Sequence, residues 1–428
     1  CQHFKTKRGA VATFSRTTER AALPLTGRRA ESVLGDMFEQ KATDIDWRHG
    51  RTFSLVYPTG RADVDDILVQ ANLAYLYENA LNLRRFPSLA AMQDDVTGMV
   101  ASLVNAPASA GAGFTSGGTE SIFMSVLVSR ERAKKERGIT NGNIVFPETA
   151  PPAFAKAAFY TGLEVRPTAL TADFTADVSA VTDAIDDNTV LVMGSAYGNP
   201  HGVMDPIEAL SEAAMKRGVP FHSDACIGAF VLPFMERLGL QVPPFDFRLP
   251  GVTQMSCDVH KYGYATKGAS VVVYRDAEWM AHQAFTYDIW PSGHYRTPSV
   301  AGARAASPIA AAWAVMNYLG ENQYTEIMRG LLETTNRMRE GITSIPGLQI
   351  LGDPIGPLLS FTSTDDDIFA ICDVMDDRGW GLNRIADPPG LHMMISPIHA
   401  SFVDEFVEDL AFAAANHGPS RGLGASYN

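Results

Sequence analysis

The stretch Ser256-Cys257-Asp258-Val259-His260-Lys261-Tyr262-Gly263 decides how this chain is read. It closes one extended apolar pattern, 252–256, and lies just before another, 269–274. A lysine at such a place usually snorkels, its stem on apolar surface and its ammonium in water. Lys261, however, sits among Cys257, Val259, Tyr262 and Tyr264. Their bulk is expected to desolvate the amine, lowering its pKa and freeing its lone pair.

Two further segments give that amine a context. His222-Ser223-Asp224-Ala225 closes a strand pattern over 220–224, and ligands of open α/β sheets bind beyond the carboxyl ends of strands. Thr115-Ser116-Gly117-Gly118-Thr119-Glu120 opens an amphipathic helix. Glycines there let backbone N–H groups approach a phosphate, assisted by the helix dipole and the Thr119 hydroxyl. Glu120 is odd beside an anion and is expected to face away. A buried amine, a strand-end carboxylate and a glycine-rich helix start together suit pyridoxal 5′-phosphate (PLP). Lys261 would carry its aldehyde as a Schiff base, Asp224 would keep its ring nitrogen protonated, and Gly117, Gly118 and Thr119 would hold its phosphate. Each signal alone is weak, since a strand-end aspartate is commonly a helix cap.

Around these lie secondary candidates. His260 points opposite to Lys261 in an extended segment and is expected to touch cofactor phosphate or substrate. His222, beside Asp224, is counted with the cofactor site. The loop Ser195-Ala196-Tyr197-Gly198-Asn199-Pro200-His201-Gly202 follows another buried strand, so Asn199 and His201 are candidates for cofactor or substrate contact. A solvated loop histidine is an equal reading of His201. Lys267 and Arg304 are candidate anion binders, or otherwise solvated charges. The histidines show no HExxH or paired-ligand spacing, and no metal is expected.

The 428 residues allow two or three domains; 46% are hydrophobic and 19% charged, as in ordinary globular proteins. A net charge of −13 argues against nucleic acid or an anionic membrane as the main partner, though not against a locally positive pocket. Four cysteines (Cys1, Cys226, Cys257, Cys372) in no zinc or redox spacing suggest a reducing, cytoplasmic setting. No apolar run reaches the length of a membrane span. The first thirty residues, with Lys5, Lys7, Arg8, Arg16 and Arg20, lack an apolar signal core. The opening Cys1 reads as a truncated start rather than a lipid-bearing cysteine.

Residues 1–60 read as an irregular arm. From 66 to 104 the apolar spacing is helical. Helices at 118–137, 153–161, 177–185 and 205–216 then alternate with strands at 143–146, 163–170, 189–195 and 220–224. Such alternation predicts an α/β domain with a mostly parallel sheet. A nearly all-apolar helix at 308–319 reads as a buried link. From 315 the pattern restarts as a smaller α+β domain, giving expected divisions 1–60, 61–314 and 315–428.

Several segments together resemble the PLP-dependent group II decarboxylase family, closest to its sphingosine-1-phosphate lyase branch. They are Thr-Ser-Gly-Gly-Thr-Glu-Ser (115–121), Pro-His-Gly-Val-Met-Asp-Pro (200–206), His-Ser-Asp-Ala-Cys-Ile-Gly-Ala-Phe (222–230), Phe-Asp-Phe-Arg (245–248), Asp-Val-His-Lys-Tyr-Gly-Tyr-Ala-Thr-Lys-Gly (258–268) and Pro-Ser-Val-Ala-Gly-Ala-Arg (298–304). The resemblance implies a fold type I, aspartate aminotransferase-like large domain with a smaller C-terminal α+β domain. It implies Lys261 as the Schiff-base lysine, Asp224 as the pyridinium partner, and Lys267 facing an anionic substrate group. It also implies a homodimer whose active sites are shared, with 297–304 the donor loop. The family pattern has a histidine stacked on the cofactor ring inside Glu-Thr-Ala-His; here Pro151 follows Glu148-Thr149-Ala150. A proline packs on a ring but shuttles no proton.

The leading expectation is a carbon–carbon lyase acting on a β-hydroxy amine or amino acid and releasing an aldehyde. Alternatives are an amino-acid decarboxylase, a biosynthetic PLP enzyme with altered chemistry, and a non-catalytic scaffold. His201, Tyr197 and Tyr262 are the candidates for the proton carrier that Pro151 cannot be.

Overall fold

A computed structural model describes residues 22–422 and residue 424. Cys1 and the basic residues Lys5, Lys7, Arg8, Arg16 and Arg20 lie outside them. The chain forms two units, residues 1–45 and 46–428. The first carries helix Ala30–Lys41, on which Val33, Leu34, Met37 and Phe38 are exposed.

In the second unit a seven-stranded sheet positions the site. Its strands are β1 (Gly111–Thr115), β2 (Asn143–Pro147), β3 (Glu164–Thr168), β4 (Thr189–Ser195), β5 (Phe221–Asp224), β6 (Val252–Cys257) and β7 (Ser270–Tyr274). Their spatial order is β1-β7-β6-β5-β4-β2-β3. β7 runs antiparallel to both neighbours, and the pairs β2–β3, β2–β4, β4–β5 and β5–β6 are parallel. This is the α/β, fold type I arrangement. β4 and β7 are buried along their whole length. That explains their unbroken apolar runs, because parallel-type sheets are covered on both faces.

Helices Gly118–Arg137, Ala153–Thr161 and Val178–Ala184 form where the spacing places them. The helix expected from Asp205 begins instead at Ile207, with Pro206 at its cap. Asp205 is not a cap. Its carboxylate accepts the N–H of Ser195 at 2.7 Å and of Ala176 at 2.8 Å, tying the loop after β4 to its neighbour. Burial pushes its pKa up to about 6.

Helix Ser307–Ser344 carries the expected 308–319 helix on into the C-terminal layer and is broken at Gly320 (φ 57°, ψ 174°). The left-handed φ there favours glycine. Beyond it four antiparallel strands lie in the order Leu348–Ile350, Leu358–Ser363, Pro389–Met394, Asn383–Ala386. Helices Ile368–Asp377 and Val403–Ala415 belong to the same C-terminal α+β layer. Residues 51–54, read as arm, are sewn to this layer. Thr52 bridges Gly381, Phe53 O accepts the Met394 N–H at 2.7 Å, and the Phe53 ring stacks on His399 at 4.4 Å.

Candidate active site

β5, β6 and the start of helix Gly118–Arg137 converge on a cavity of about 840 Å³. Lys261 and Asp224 both line it, as do Gly117, Gly118 and Thr119. His260, Pro151, Asn199 and Lys267 complete the expected residues that reach it. His201, His222, Tyr262 and Arg304 are not among its lining residues.

Asp224 ends β5 opposite Ser256 of β6. It is 5% exposed, and both of its hydrogen bonds fall on Oδ1: Ser256 Oγ donates at 2.7 Å and Cys226 N–H at 3.0 Å. His222, two residues earlier, projects away from the cavity, as alternation along a strand requires. It is fully buried, with Nδ1 2.7 Å from Ser125 Oγ and Nε2 2.9 Å from Ser256 Oγ. It therefore supports Asp224 through Ser256 and does not touch the cavity. Burial drives its pKa down to about 4 against the opposing pull of Asp224, so the ring is neutral.

Lys261 follows β6, its side chain 24% exposed, and its Nζ lies 2.9 Å from Asp258 Oδ2. The expectation of a depressed lysine pKa is corrected by this contact. Burial does push it down, but the Asp258 carboxylate, helped by smaller effects of Cys226 and Tyr57, more than offsets burial and raises it above the ordinary lysine value. A sequence reading that weighed only the apolar neighbours missed the acid three residues away. Asp258 is 2% exposed and lines the cavity. Burial alone would raise its pKa, but Lys261 and then His260 outweigh burial and hold its carboxyl below the ordinary carboxylate value.

The helix start is crowded in a way only glycine permits. A Cβ on Gly118 would lie 2.7 Å from Cys226 Sγ and 2.8 Å from the Asp258 carboxylate. One on Gly117 would approach His260 Cε1 to 3.2 Å. Glu120, expected to face away, lines the cavity, but its carboxylate is engaged by backbone: Oε2 accepts the Ser116 N–H at 2.7 Å and Oε1 the Val300 N–H at 2.8 Å. His260 Nδ1 accepts the Ala269 N–H at 3.1 Å, which leaves the ring proton on Nε2 as a fixed donor.

Four candidates are placed elsewhere for identifiable reasons. His222 is the first, as above. His201 is 3% exposed, stacks on Phe174 at 4.1 Å and bonds Ser360 Oγ at 3.0 Å, so it belongs to the seam with the C-terminal layer. Tyr262 is 1% exposed and donates to Ile395 O at 3.0 Å. Arg304 gives its guanidinium to Phe114 O and Ala80 O, each at 3.2 Å, and to Gln93 Oε1 at 3.3 Å. It binds protein carbonyls, not an anion in the cavity. Tyr197 does line the cavity, but its hydroxyl accepts the Leu358 N–H at 3.0 Å.

The residues present fit PLP. Asn199 Oδ1 and Asp258 Oδ1 are buried on the cavity with no hydrogen-bond partner, and the glycine pair leaves room at a helix start. Lys267 is exposed as a residue, but protein crowds its ammonium, which lies 4.6 Å from the Tyr57 ring. Burial of that end lowers its pKa to about 8, with the Lys261 charge adding to the effect.

Comparison with known proteins decides the family. Residues 16–364 match the pyridoxal-dependent decarboxylase conserved domain. The chain belongs to this family. It is 39% identical to sphingosine-1-phosphate lyase of Arabidopsis thaliana over 411 residues, 94% of this chain and 75% of that protein. It is 37% identical to sphingosine-1-phosphate lyase 1 of Rattus norvegicus, over 95% of this chain and 72% of that one. Among solved structures, the sphingosine-1-phosphate lyase of Burkholderia pseudomallei superposes with a TM-score of 0.89 at 35% identity, covering 93% of each chain. A glutamate decarboxylase of Lactobacillus brevis, at 19% identity, shares the fold with a TM-score of 0.83 over 95% of this chain and 97% of that chain. This family member is therefore a PLP-dependent enzyme of lyase type. Among the described residues no helix is long and apolar enough to cross a membrane, and no cluster of three or more His, Cys, Asp or Glu side chains suits a metal.

Proposed function

We propose that this enzyme cleaves the Cα–Cβ bond of a β-hydroxy amine, phosphorylated in its preferred form, and releases an aldehyde. The observation that carries the reading is that Lys261 and Asp224 open into one cavity beside a glycine-built helix start. Lys261 is the lysine that binds PLP, Asp224 the partner of its ring nitrogen, and Gly117, Gly118, Thr119 and the His260 Nε2–H the seat of its phosphate. Asn199 offers a buried amide to the cofactor or substrate. When bound, PLP supplies an electron sink next to the substrate Cα. Asp224 keeps that sink effective by holding a proton at the ring nitrogen. Pro151 forms part of the apolar wall and moves no proton.

Lyase chemistry is favoured over decarboxylation by the likeness to sphingosine-1-phosphate lyases over nearly the whole chain. Lys267 at the cavity is the cation suited to a substrate phosphate. Exposed apolar side chains on helix Ala30–Lys41, and Ile289, Trp290 and Val300 near the expected donor loop, support a homodimer. A cytoplasmic enzyme built as an arm (1–60), a large domain (61–314) and a small C-terminal domain (315–428) is part of the same reading. The test is incubation of PLP-loaded protein with phosphorylated and unphosphorylated β-hydroxy amines and with amino acids. Aldehyde from the first class supports the reading, and carbon dioxide from the last without aldehyde overturns it.

A further inference from the structure

The geometry points to Asp258 as a positioning residue: its buried carboxylate holds the Lys261 amine at the cavity wall and sets how much of it is free to react. This rests on the reading of Lys261 as the cofactor lysine, and it adds a residue that neither composition nor spacing singled out.

Three observations carry it. Lys261 Nζ lies 2.9 Å from Asp258 Oδ2. Asp258 is 2% exposed, so its end of the pairing is sheltered from solvent, while the amine reaches the cavity. Asp258 Oδ1 has no partner, although it is buried on the cavity beside Gly118. A buried carboxylate with one oxygen on the amine and the other packed at the helix start beside Gly118 is placed to orient the lysine, not merely to fill the interior.

The other groups around the amine do not duplicate this. Cys226 faces Lys261 from the turn after β5, but burial first, and the neighbouring Asp224 and Asp258 carboxylates next, push its thiol far above the neutral range. Tyr57 approaches from the segment before helix Ala62–Ala74 and acts on the amine less than Asp258 does. His260 and Lys267 lie on the same side, and a positive charge on either opposes protonation of the amine. Asp258 is the negative charge in direct contact. For Lys261 to bond to an aldehyde, the ammonium first releases one proton. The nitrogen lone pair would then form the bond to the aldehyde carbon, C=N replacing C=O, and the amine's two remaining hydrogens would leave with the oxygen as water. Asp258 restrains the first of these events and keeps the nitrogen in place for the second.

The test uses the cofactor-free full chain. Lysines are competitively labelled with acetic anhydride across pH 6–11 and read by peptide mass spectrometry, with exposed Lys134 as internal reference. Lys261 is expected to reach half-labelling at higher pH than Lys134. Asp258→Asn is expected to raise the Lys261 label at pH 8 by at least about tenfold, one unit of pKa, and Asp258→Glu to keep it low. An Asn variant that labels like wild type overturns the inference. So does a wild-type Lys261 that half-labels below Lys134, a result that needs no variant to fold. The parent reading fails separately, if borohydride treatment of the PLP-loaded protein leaves no pyridoxyl mass on Lys261.

Discussion

Ser256 donates a hydrogen bond to Asp224 Oδ1 across neighbouring strands at 2.7 Å, and its oxygen faces His222 Nε2 at 2.9 Å. The proton positions follow from these contacts. Ser256 gives its hydrogen to the carboxylate, so it accepts from His222 Nε2–H. His222 Nδ1 is then left to accept from Ser125, 2.7 Å away. A neutral imidazole satisfies both bonds, in keeping with a pKa held near 4 by burial. The cavity carboxylate is thus oriented by a buried chain that starts three side chains behind it.

Cutting that chain is expected to weaken the cofactor before it unfolds the protein. Ser256→Ala removes one of the two hydrogen bonds on Asp224 Oδ1 and strands the His222 donor. The loss of Asp224 orientation should cost about 0.5–1.5 kcal/mol of PLP affinity, roughly 2- to 12-fold in Kd. The stranded donor should lower stability by about 1–3 kcal/mol. Equilibrium dialysis and denaturant midpoints measure the two separately. PLP affinity equal to wild type would show that Ser256 does not orient Asp224.

Gly118→Ala tests the helix start. Its Cβ would lie 2.7 Å from Cys226 Sγ and 2.8 Å from Asp258, neither at the end of a long flexible side chain. The backbone must shift at the point where the first helical N–H groups face the cavity. PLP retention on gel filtration should fall by at least about tenfold, because a phosphate seat made of backbone amides tolerates little displacement. Gly138→Ala serves as control. It has nothing within 4 Å of its Cβ and pays only for its left-handed φ of 69°.

How far these features were legible differs from residue to residue. Thr189–Ser195 and Gly118–Arg137 were readable to the residue, since continuous burial and helical period leave plain marks. β1 (Gly111–Thr115) was not, because Gly-Ala-Gly carries almost no strand preference; it is held by pairing to β7. Asn383–Ala386 was missed for the same reason, as an edge strand fixed by its neighbour. Lys261 and Asp224 announced themselves by their place at strand ends. Asp258 did not, although it stands in the same quoted stretch, because an acid near a lysine reads as surface pairing until burial is known. His201 and Arg304 lie away from the cavity in which the sequence had suggested them. Their partners, Ser360 and the carbonyls of Phe114 and Ala80, are remote in sequence.

Arg304 is expected to matter for stability rather than for substrate. Lysine at this position cannot span three acceptors with a planar fork. Arg304→Lys should therefore lower stability by about 1–3 kcal/mol, the range for buried acceptors left unpaired. KM for a phosphorylated amine should stay within about twofold of wild type. A selective rise in KM without loss of stability would return Arg304 to the substrate site.

Acid should destabilise the protein through its buried histidines. His201, His222, His392 and His399 all have pKa values pushed down to about 4 by burial. Between that value and about 6.5 the unfolded chain binds protons that the native chain does not, so stability falls as pH drops through this window. Asp205 opposes the trend. Its carboxyl titrates near 6 when folded, so it binds a proton that the unfolded carboxyl lacks down to about pH 4, and it favours the native state there. Burial raises the Asp376 carboxyl in the same direction, but four histidines outweigh two carboxyls, and stability should fall as pH drops from 6.5 to 4. His201→Gln should flatten it by about one proton, as measured by urea midpoints at each pH.

Lys267 gives the sharpest pH signature for the proposed substrate. With a pKa near 8, its positive charge is full below that pH and is lost above it. A substrate phosphate has already lost its second proton near pH 6, so it does not titrate in the same range. KM for a phosphorylated β-hydroxy amine should then rise about fivefold between pH 8 and 9 and approach the value for the unphosphorylated amine, which should barely change. Lys267→Met should show the high KM at every pH. Lys267→Arg, charged throughout, should abolish the rise without restoring the lysine's titration. Equal pH profiles for the two substrates in the wild-type enzyme would remove Lys267 from phosphate recognition and leave its contact with the Tyr57 ring as its role.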